Sequence, residues 1–335
     1  SENAADTEAR YLYATLLYGK GQFALGTEQY RKIVSETDDY KSLRALACAV
    51  YSHENDRETA LEYMKKAASL APISEKHITF ETAFLMQKMS VNPDEIIEFI
   101  KSRGQNRDDI TVELARAYNR KGDYESALNT LLGRVFVAAE GGEHYIADQY
   151  MYAYYLKGKE AYEKGNYELA LESFNEAMTL PQSLGSGLWN KIKKVPYLYF
   201  SARCCEKLGR SDEAKAIYEG FKTFNFDFFS DMYLYTFVYY LARGLEALGE
   251  KDEAVRIAEA RFNAWNKARG EETLGYFGTT PFFIGFIDEP SRARNIHFSY
   301  PLALLSEFLG TENAEKYKNC YKQDGYTLYI EDFTV

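Results

Sequence analysis

Apolar residues recur along this chain at helical spacing, in short paired blocks separated by turn signals. The clearest block runs from Gly158 to Pro181. Its second half places Leu169, Ala170, Phe174, Ala177 and Met178 in one stripe, the pattern of a helix with one buried side. Gly165-Asn166 divides the block. Glycine accepts the left-handed backbone that ends a helix, and asparagine caps the start of the next. Pro181 lacks an amide donor and disfavours helix at Leu180, so the spacing predicts that the second helix stops there. Gly158 and Ala170 are small enough to let two antiparallel helices approach closely. Helices this short cannot bury a stripe alone, so the block needs neighbours that repeat it.

Such neighbours follow along the chain. Residues 7–36 form a first hairpin with its turn at Gly21-Gln22-Phe23, followed by Gly26, Tyr30 and Ile33. A second covers about 40–72, with Cys48 and Tyr51 on its first helix, a turn at Asn55-Asp56, then Ala60, Met64, Ala67 and Pro72. A degenerate third spans 74–104, where Asn92 reads as an N-cap and Pro93 as the first helical residue. The fourth has Leu114, Ala115, Tyr118, a turn at Gly122-Asp123, then Ala127 and Leu131. After the fifth, a sixth carries Ala202, Gly209, Ala214, Tyr218 and Phe221, and a seventh Ala242, Gly249, Ala254 and Ala258. A last hairpin runs from about 292 to 322, turning at Gly310. From Gly26 to Ala60 is 34 residues, but the later steps, from 127 to 170, 214 and 254, are 43, 44 and 40.

This grammar resembles the tetratricopeptide repeat, in which a small residue, a turn glycine, an alanine, an aromatic, a second alanine and a proline follow at fixed offsets. Gly158, Gly165, Ala170, Phe174, Ala177 and, one residue early, Pro181 take those places. The fold expected is all-α: a right-handed α-α superhelix of about eight hairpins, with an irregular aromatic loop near its end. One continuous solenoid is expected, with N-terminal hairpins over 1–136, longer-looped hairpins over 137–322 and an extended tail over 323–335. In that tail Tyr326, Leu328 and Ile330 alternate on one face and could lie against the array.

Composition narrows the functional classes. Forty basic against fifty acidic residues give a net charge of −10, which argues against nucleic acid and anionic membranes as partners. Cys48, Cys204, Cys205 and Cys320 lack metal spacing and fall in helical sequence, so free thiols in a reducing, cytoplasmic setting are expected. No apolar run reaches the roughly 18 residues of a membrane span, and no signal peptide is evident. The first methionine is Met64, and the chain reads as an excised C-terminal piece of a longer protein. His53, His77, His144 and His297 are scattered, and no zinc, phosphate-loop, nucleophile-elbow or dinucleotide motif occurs. No catalytic residue, metal or cofactor is therefore expected.

Three irregular stretches remain. Residues 137–146 contain Glu140-Gly141-Gly142-Glu143-His144; Gln182 to Gly187 precede Trp189; and 268–295 include Tyr276, Phe277, Phe282 and Phe283. Together with Leu180-Pro181 and Leu184-Gly185, these segments look like parts of one bacterial family. Its members join an N-terminal galactose-mutarotase-like β-sandwich of unassigned function to a C-terminal tetratricopeptide array. The resemblance covers about half the chain and implies a carbohydrate-related role for the whole protein. Glu140 and Glu143 could perform glycosidic acid/base chemistry if suitably spaced, or form a solvated acidic turn. The Tyr276 to Phe286 aromatics could stack on sugar, or pack over the array as a plug. Tyr150, Tyr152, Tyr154, Tyr155, Tyr233, Tyr235, Tyr239 and Tyr240 are expected to be mostly core, with any on the inner face offering hydroxyls for recognition. Lys191, Lys193 and Lys194 read as a solvated face.

The function expected is a non-catalytic scaffold that binds a protein, a peptide or its own missing N-terminal domain, with self-association possible. Glu140, Glu143, His144, Trp189, Tyr276, Phe277, Phe282 and Phe283 are the candidate partner or ligand residues. The alternative is an accessory region whose loops help wall the sugar site of a glycoside-active enzyme; a sensor array for regulatory partners is a third reading.

Overall fold

The computed structural model describes residues 2–104, 106–137, 143–185, 187, 191–223, 237–271 and 285–334, without the side chains of 2–5, 143–145 and 191–192. Sixteen α-helices and no strand occur among these residues. They are α1 (Glu2–Gly19), α2 (Phe23–Glu36), α3 (Tyr40–Ala49), α4 (Arg57–Leu70), α5 (Lys76–Lys88), α6 (Pro93–Arg103), α7 (Asp108–Lys121) and α8 (Tyr124–Leu132). The remainder are α9 (Glu143–Glu163), α10 (Tyr167–Ala177), α11 (Val195–Lys207), α12 (Ser211–Phe221), α13 (Phe237–Ala247), α14 (Lys251–Arg269), α15 (Pro290–Leu309) and α16 (Ala314–Tyr321). Taken in order they make eight odd–even pairs.

Turn chemistry explains the pairing. Gly21, Gly122, Gly165, Gly209, Gly249 and Gly310 end first helices, and Asn55 and Ser90 take that place in the second and third pairs; all eight have φ between 55° and 85°. Seven of these turns share one hydrogen bond, from the next residue's N–H to the carbonyl five positions back, as in Asn166 to Ala161 (2.9 Å) and Arg210 to Cys205 (2.8 Å). This is the closing bond of a Schellman cap. After Asn55 the bond instead runs from Asp56 to Val50, six positions back. The reason is a π turn over Val50–Glu54 that inserts one residue into the end of α3. Side chains then start the second helices: Asp56 accepts from Thr59 N, Asn92 from Asp94 N, Asp123 from Ser126 N and Asn166 from Leu169 N. Pro93 takes the first position of α6 as its sequence implies.

One boundary differs from the sequence reading. α10 ends at Ala177, before Pro181, because its last turn tightens: Met178 N–H bonds Asn175 O and Thr179 N–H bonds Glu176 O. Pro181 instead opens a short 3-10 turn, Gln182–Leu184, whose Leu184 is buried.

Small residues set how closely the pairs pack. A Cβ built on Gly158 of α9 would lie 2.5 Å from Phe174 Cε1 of α10, and one on Gly244 of α13 would lie 2.4 Å from Phe221 Cδ2 of α12. Phe174 is fully buried, so its ring has little room to retreat. Gly158→Ala is expected to cost about 1–3 kcal/mol in a denaturant titration, against a helix-propensity gain of about 1 kcal/mol. A net stabilised variant would show that the Phe174 ring can move.

The chain divides into two compact units, Ser1–Glu113 with Leu274–Ala293 and Leu114–Thr273 with Arg294–Val335. In unit 1, α1 to α6 each pack on the next. In unit 2, α8 to α14 do the same, and α11 also packs on α13, first helix against first helix. That stacking aligns equivalent positions of successive pairs on one face. Trp265 of α14 is buried in unit 2. Among the described residues no helix is long and apolar enough to cross a membrane.

Candidate interaction face

The first helices of unit 2 carry a repeated pair of side chains. Tyr155 and Lys159 lie on α9, Tyr199 and Arg203 on α11, and Tyr239 and Arg243 on α13. Each pair is spaced i, i+4, which places both on one side of a helix. Each flanks the small residue of its repeat, Gly158, Ala202 or Ala242. Arg116 of α7 holds the same place after Ala115. From Arg116 to Lys159, Arg203 and Arg243 the steps are 43, 44 and 40 residues, the same as the steps between second-helix alanines. The fold converts that period into a ladder of tyrosines and cations.

The ladder holds the last described segment of the chain. Residues 325–334 contain neither helix nor strand, so their backbone groups need partners from elsewhere. Side chains supply them. Arg116 Nη1 donates to Tyr326 O at 2.7 Å, and its guanidinium lies 3.8 Å from the Tyr326 ring centroid. Tyr155 Oη donates to Glu331 O (2.8 Å) and Tyr240 Oη to Ile330 O (2.9 Å), which the Tyr300 hydroxyl also bonds. Tyr239 Oη donates to Asp332 Oδ2 at 2.8 Å, and Arg243 Nε stands 3.7 Å from the same carboxylate oxygen. Tyr199 Oη and Thr334 Oγ1 are 3.2 Å apart, and Arg203 Nη2 reaches Thr334 O at 3.5 Å. Phe333 stacks on Phe200 at 4.7 Å and meets Tyr155, Tyr162 and Phe174 at its other edges, with Lys159 Nζ 5.8 Å from its ring. The arrangement recognises an extended peptide: main-chain carbonyls, one aromatic and one carboxylate.

The tetratricopeptide-repeat family model matches residues 152–183 and 195–223. These two hairpins are tetratricopeptide repeats. They include Tyr155, Lys159, Tyr199 and Arg203, so the ladder is built on repeat positions. Similar solved structures include Naa15/Naa10 bound to HypK-THB, with 16% identity, coverage of 94% of this chain and 45% of that one, and a TM-score of 0.42. The apo quorum sensor NprR from B. thuringiensis has 16% identity, coverage of 94% and 86%, and a TM-score of 0.42. A tetratricopeptide repeat protein from Parabacteroides merdae has 16% identity, coverage of 85% and 98%, and a TM-score of 0.41. The chain thus spans less than half of the first of these and most of the other two.

Electrostatics suit the tetratricopeptide face to its occupant. Burial pushes the Tyr155 hydroxyl well above the ordinary tyrosine value, and burial followed by the Asp332 charge does the same to Tyr239. Both therefore stay protonated and donate throughout the physiological range. Burial raises Glu331, but its bond from Tyr321 and the Lys322 charge outweigh this and leave it below the usual carboxylate value. Arg203 and Arg243 are further held by Glu206 and Glu246 of their own helices.

Unit 1 grips a second non-helical segment. Asp288 accepts from Tyr51 Oη at 2.6 Å and from Arg57 Nη2 and Lys88 Nζ. Phe286 meets Tyr51 edge-on at 5.5 Å, and Ser52 Oγ bridges Gly285 O and Ile287 N. A Cβ on Gly285 would lie 2.7 Å from Cys48 Sγ, so only glycine fits against that thiol. Burial holds the Cys48 thiol up at about 12, which makes it a packing group. Beside it Arg44 forms a two-bond pair with Glu81.

The residues singled out from sequence fare unevenly. Glu140, Trp189, Tyr276, Phe277, Phe282 and Phe283 lie outside the described residues, as do Tyr233 and Tyr235; Glu143 and His144 open α9, with side chains outside the description. Tyr155, Tyr239 and Tyr240 direct their hydroxyls to residues 330–332, while Tyr150 is core and bonds Thr179 O. Lys193 is tied to Asp148 at 2.7 Å. Among the described residues no cluster of His, Cys, Asp and Glu could hold a metal, and all four cysteines are free thiols. The cations Arg116, Lys159, Arg203 and Arg243 and the residue they surround, Phe333, were not singled out. The signal for the cations was present in their steps, which match those between the second-helix alanines.

Proposed function

We propose that this chain is a non-catalytic tetratricopeptide scaffold whose unit 2 ladder face binds an extended stretch of protein, from a partner or from a neighbouring domain of a larger polypeptide. Tetratricopeptide arrays create such faces by stacking, without added chemistry. One observation carries the reading: tyrosine and arginine side chains of successive repeats hold a non-helical segment by its carbonyls and carboxylate. The broader setting, a bacterial, cytoplasmic, carbohydrate-related protein with a β-sandwich domain preceding the array, rests on the sequence resemblance alone.

Site-specific photocrosslinking in the source cell tests the reading. A crosslinker at Arg203, on the ladder, should capture one or a few discrete proteins or the adjoining domain. The same crosslinker at Glu172, exposed on α10, should not. Equal capture from both positions, or none from Arg203, removes the face from the function.

A further inference from the structure

The occupant of the ladder is held in a way that permits exchange. Its backbone enters no helix or sheet, and residues 329–334 each keep some exposed surface although the Asp332 side chain is buried, whereas Phe174, Phe200 and Tyr240 beneath them are fully buried. Tyr155 and Tyr240 make neutral hydrogen bonds to its carbonyls, weak in net terms, while Arg116 and the Asp332 carboxylate take part in the stronger, charge-assisted ones. The grip also weakens toward the end of the segment: Arg203 reaches Thr334 O at 3.5 Å and Arg243 reaches Asp332 at 3.7 Å. The Nε–H groups of Arg203 and Arg243 are both buried and lack a hydrogen-bond acceptor. Buried donors left in that condition are costly. The site thus has more cationic donor capacity than residues 326–334 use.

The unused donors indicate what fits better. A carboxylate in the place of Asp332, brought closer, would satisfy Arg243. The Thr334 place keeps a hydroxyl, since its O–H and N–H both donate to Asp332 Oδ1 and a second carboxylate there would be repelled. The aromatic slot between Phe174, Phe200 and Tyr162 takes a phenyl ring, and Tyr240 and Tyr300 read the carbonyl of the aliphatic residue three places before it. Lys159, Arg203 and Arg243 stand beside Glu163, Glu206 and Glu246 of their own helices, so the face selects an acidic residue through the Tyr239 and Arg243 donors and not through net positive charge.

We propose that this ladder is a recognition site for an extended protein segment of the form aliphatic–acidic–acidic–Phe, and that residues 326–334 occupy it in cis until such a segment displaces them. The proposal rests on the protein-binding reading above and adds the occupant's chemistry and the gate. A tethered occupant competes at an effective concentration on the order of millimolar. A free peptide with an intrinsic Kd of about 10 μM would therefore appear roughly 100-fold weaker against the intact chain.

Fluorescence anisotropy tests this on the full chain with a labelled peptide of residues 326–335. Wild-type protein should bind it weakly, and Phe333→Ala, which loosens the internal occupant, at least about tenfold tighter. A peptide carrying Asp332→Asn should bind the Phe333→Ala protein several-fold more weakly than the native peptide, and that difference should shrink on Tyr239→Phe. Hydrogen exchange on wild-type protein supplies an independent reading: amides 326–334 should open with α9, α11 and α13 still protected. Exchange only on global unfolding, or a folded Phe333→Ala protein that binds neither peptide, overturns the proposal. The scaffold reading fails separately, when crosslinking from Arg203 finds no protein.

Discussion

Phe200→Ala should destabilise unit 2 by about 3–5 kcal/mol, the loss expected when a buried phenyl leaves a cavity, and should release the segment above it in the same step. Phe200 has no exposed surface. Its ring meets Phe174 at 5.3 Å, Tyr240 at 5.4 Å and Tyr155 at 5.8 Å, and Phe333 stacks on it at 4.7 Å. Aromatic pairs of this geometry add about 0.5–1.5 kcal/mol beyond their buried area. Three of these partners belong to repeat helices and the fourth to the occupant, so one truncation acts on stability and on the face together. Urea titration followed by far-ultraviolet circular dichroism measures the first effect and hydrogen exchange at 326–334 the second. Phe200→Leu should recover most of the stability, because a volume close to that of the ring remains. A loss below about 1 kcal/mol for Phe200→Ala would mean that the pocket collapses and that Phe333 does not depend on it.

Asp288→Asn is expected to have the other large effect, in unit 1. One carboxylate there receives Tyr51, Arg57 and Lys88, and the Asp288, Arg57 and Lys88 side chains are only 15%, 12% and 11% exposed. Neutralising Asp288 removes the carboxylate that two shielded cations share. Removing one member of a fully buried pair costs about 3–5 kcal/mol; the residual exposure here lowers the expectation to about 2–4 kcal/mol. The same cluster sets a pH dependence. Burial raises the Asp288 carboxyl, but Lys88 first, then Tyr51 and Arg57, outweigh it, and its value lies below that of an ordinary aspartate. A depressed carboxylate stabilises fully above its unfolded value of about 3.9 and loses that contribution as pH falls through the lower folded value. Calorimetric melts of the wild type should therefore hold steady down to about pH 5 and fall below about pH 4. Asp288→Asn should begin lower and show a smaller acid-induced drop. Matching acid profiles for the two proteins would remove Asp288 from the account.

Local chemistry was legible and distant pairing was not. Gly165-Asn166, Asn92-Pro93 and the small residues opposite aromatics announce hairpins, because each acts on neighbours a few residues away. The π turn at Val50–Glu54 leaves no such mark, since it displaces the register by one residue without changing the apolar stripe. Tyr155 meets Glu331 across 176 residues, and Tyr51 meets Asp288 across 237; no period within one hairpin encodes such a meeting. Between these extremes stand the ladder cations. Each one alone reads as an exposed charge on a helix, and only the repeated step from Arg116 to Arg243 shows that they share a line.

The placement of Trp265 has an optical consequence. Both tryptophans, at 189 and 265, fall beyond residue 113 and outside 274–293, so unit 1 holds tyrosine but no indole. Emission excited selectively through indole follows unit 2 alone, with a buried reporter on α14. Phenol emission follows both units. The chain thus provides its own pair of colour channels, and a melt recorded in each tells which half of the molecule loosens first without any label being attached.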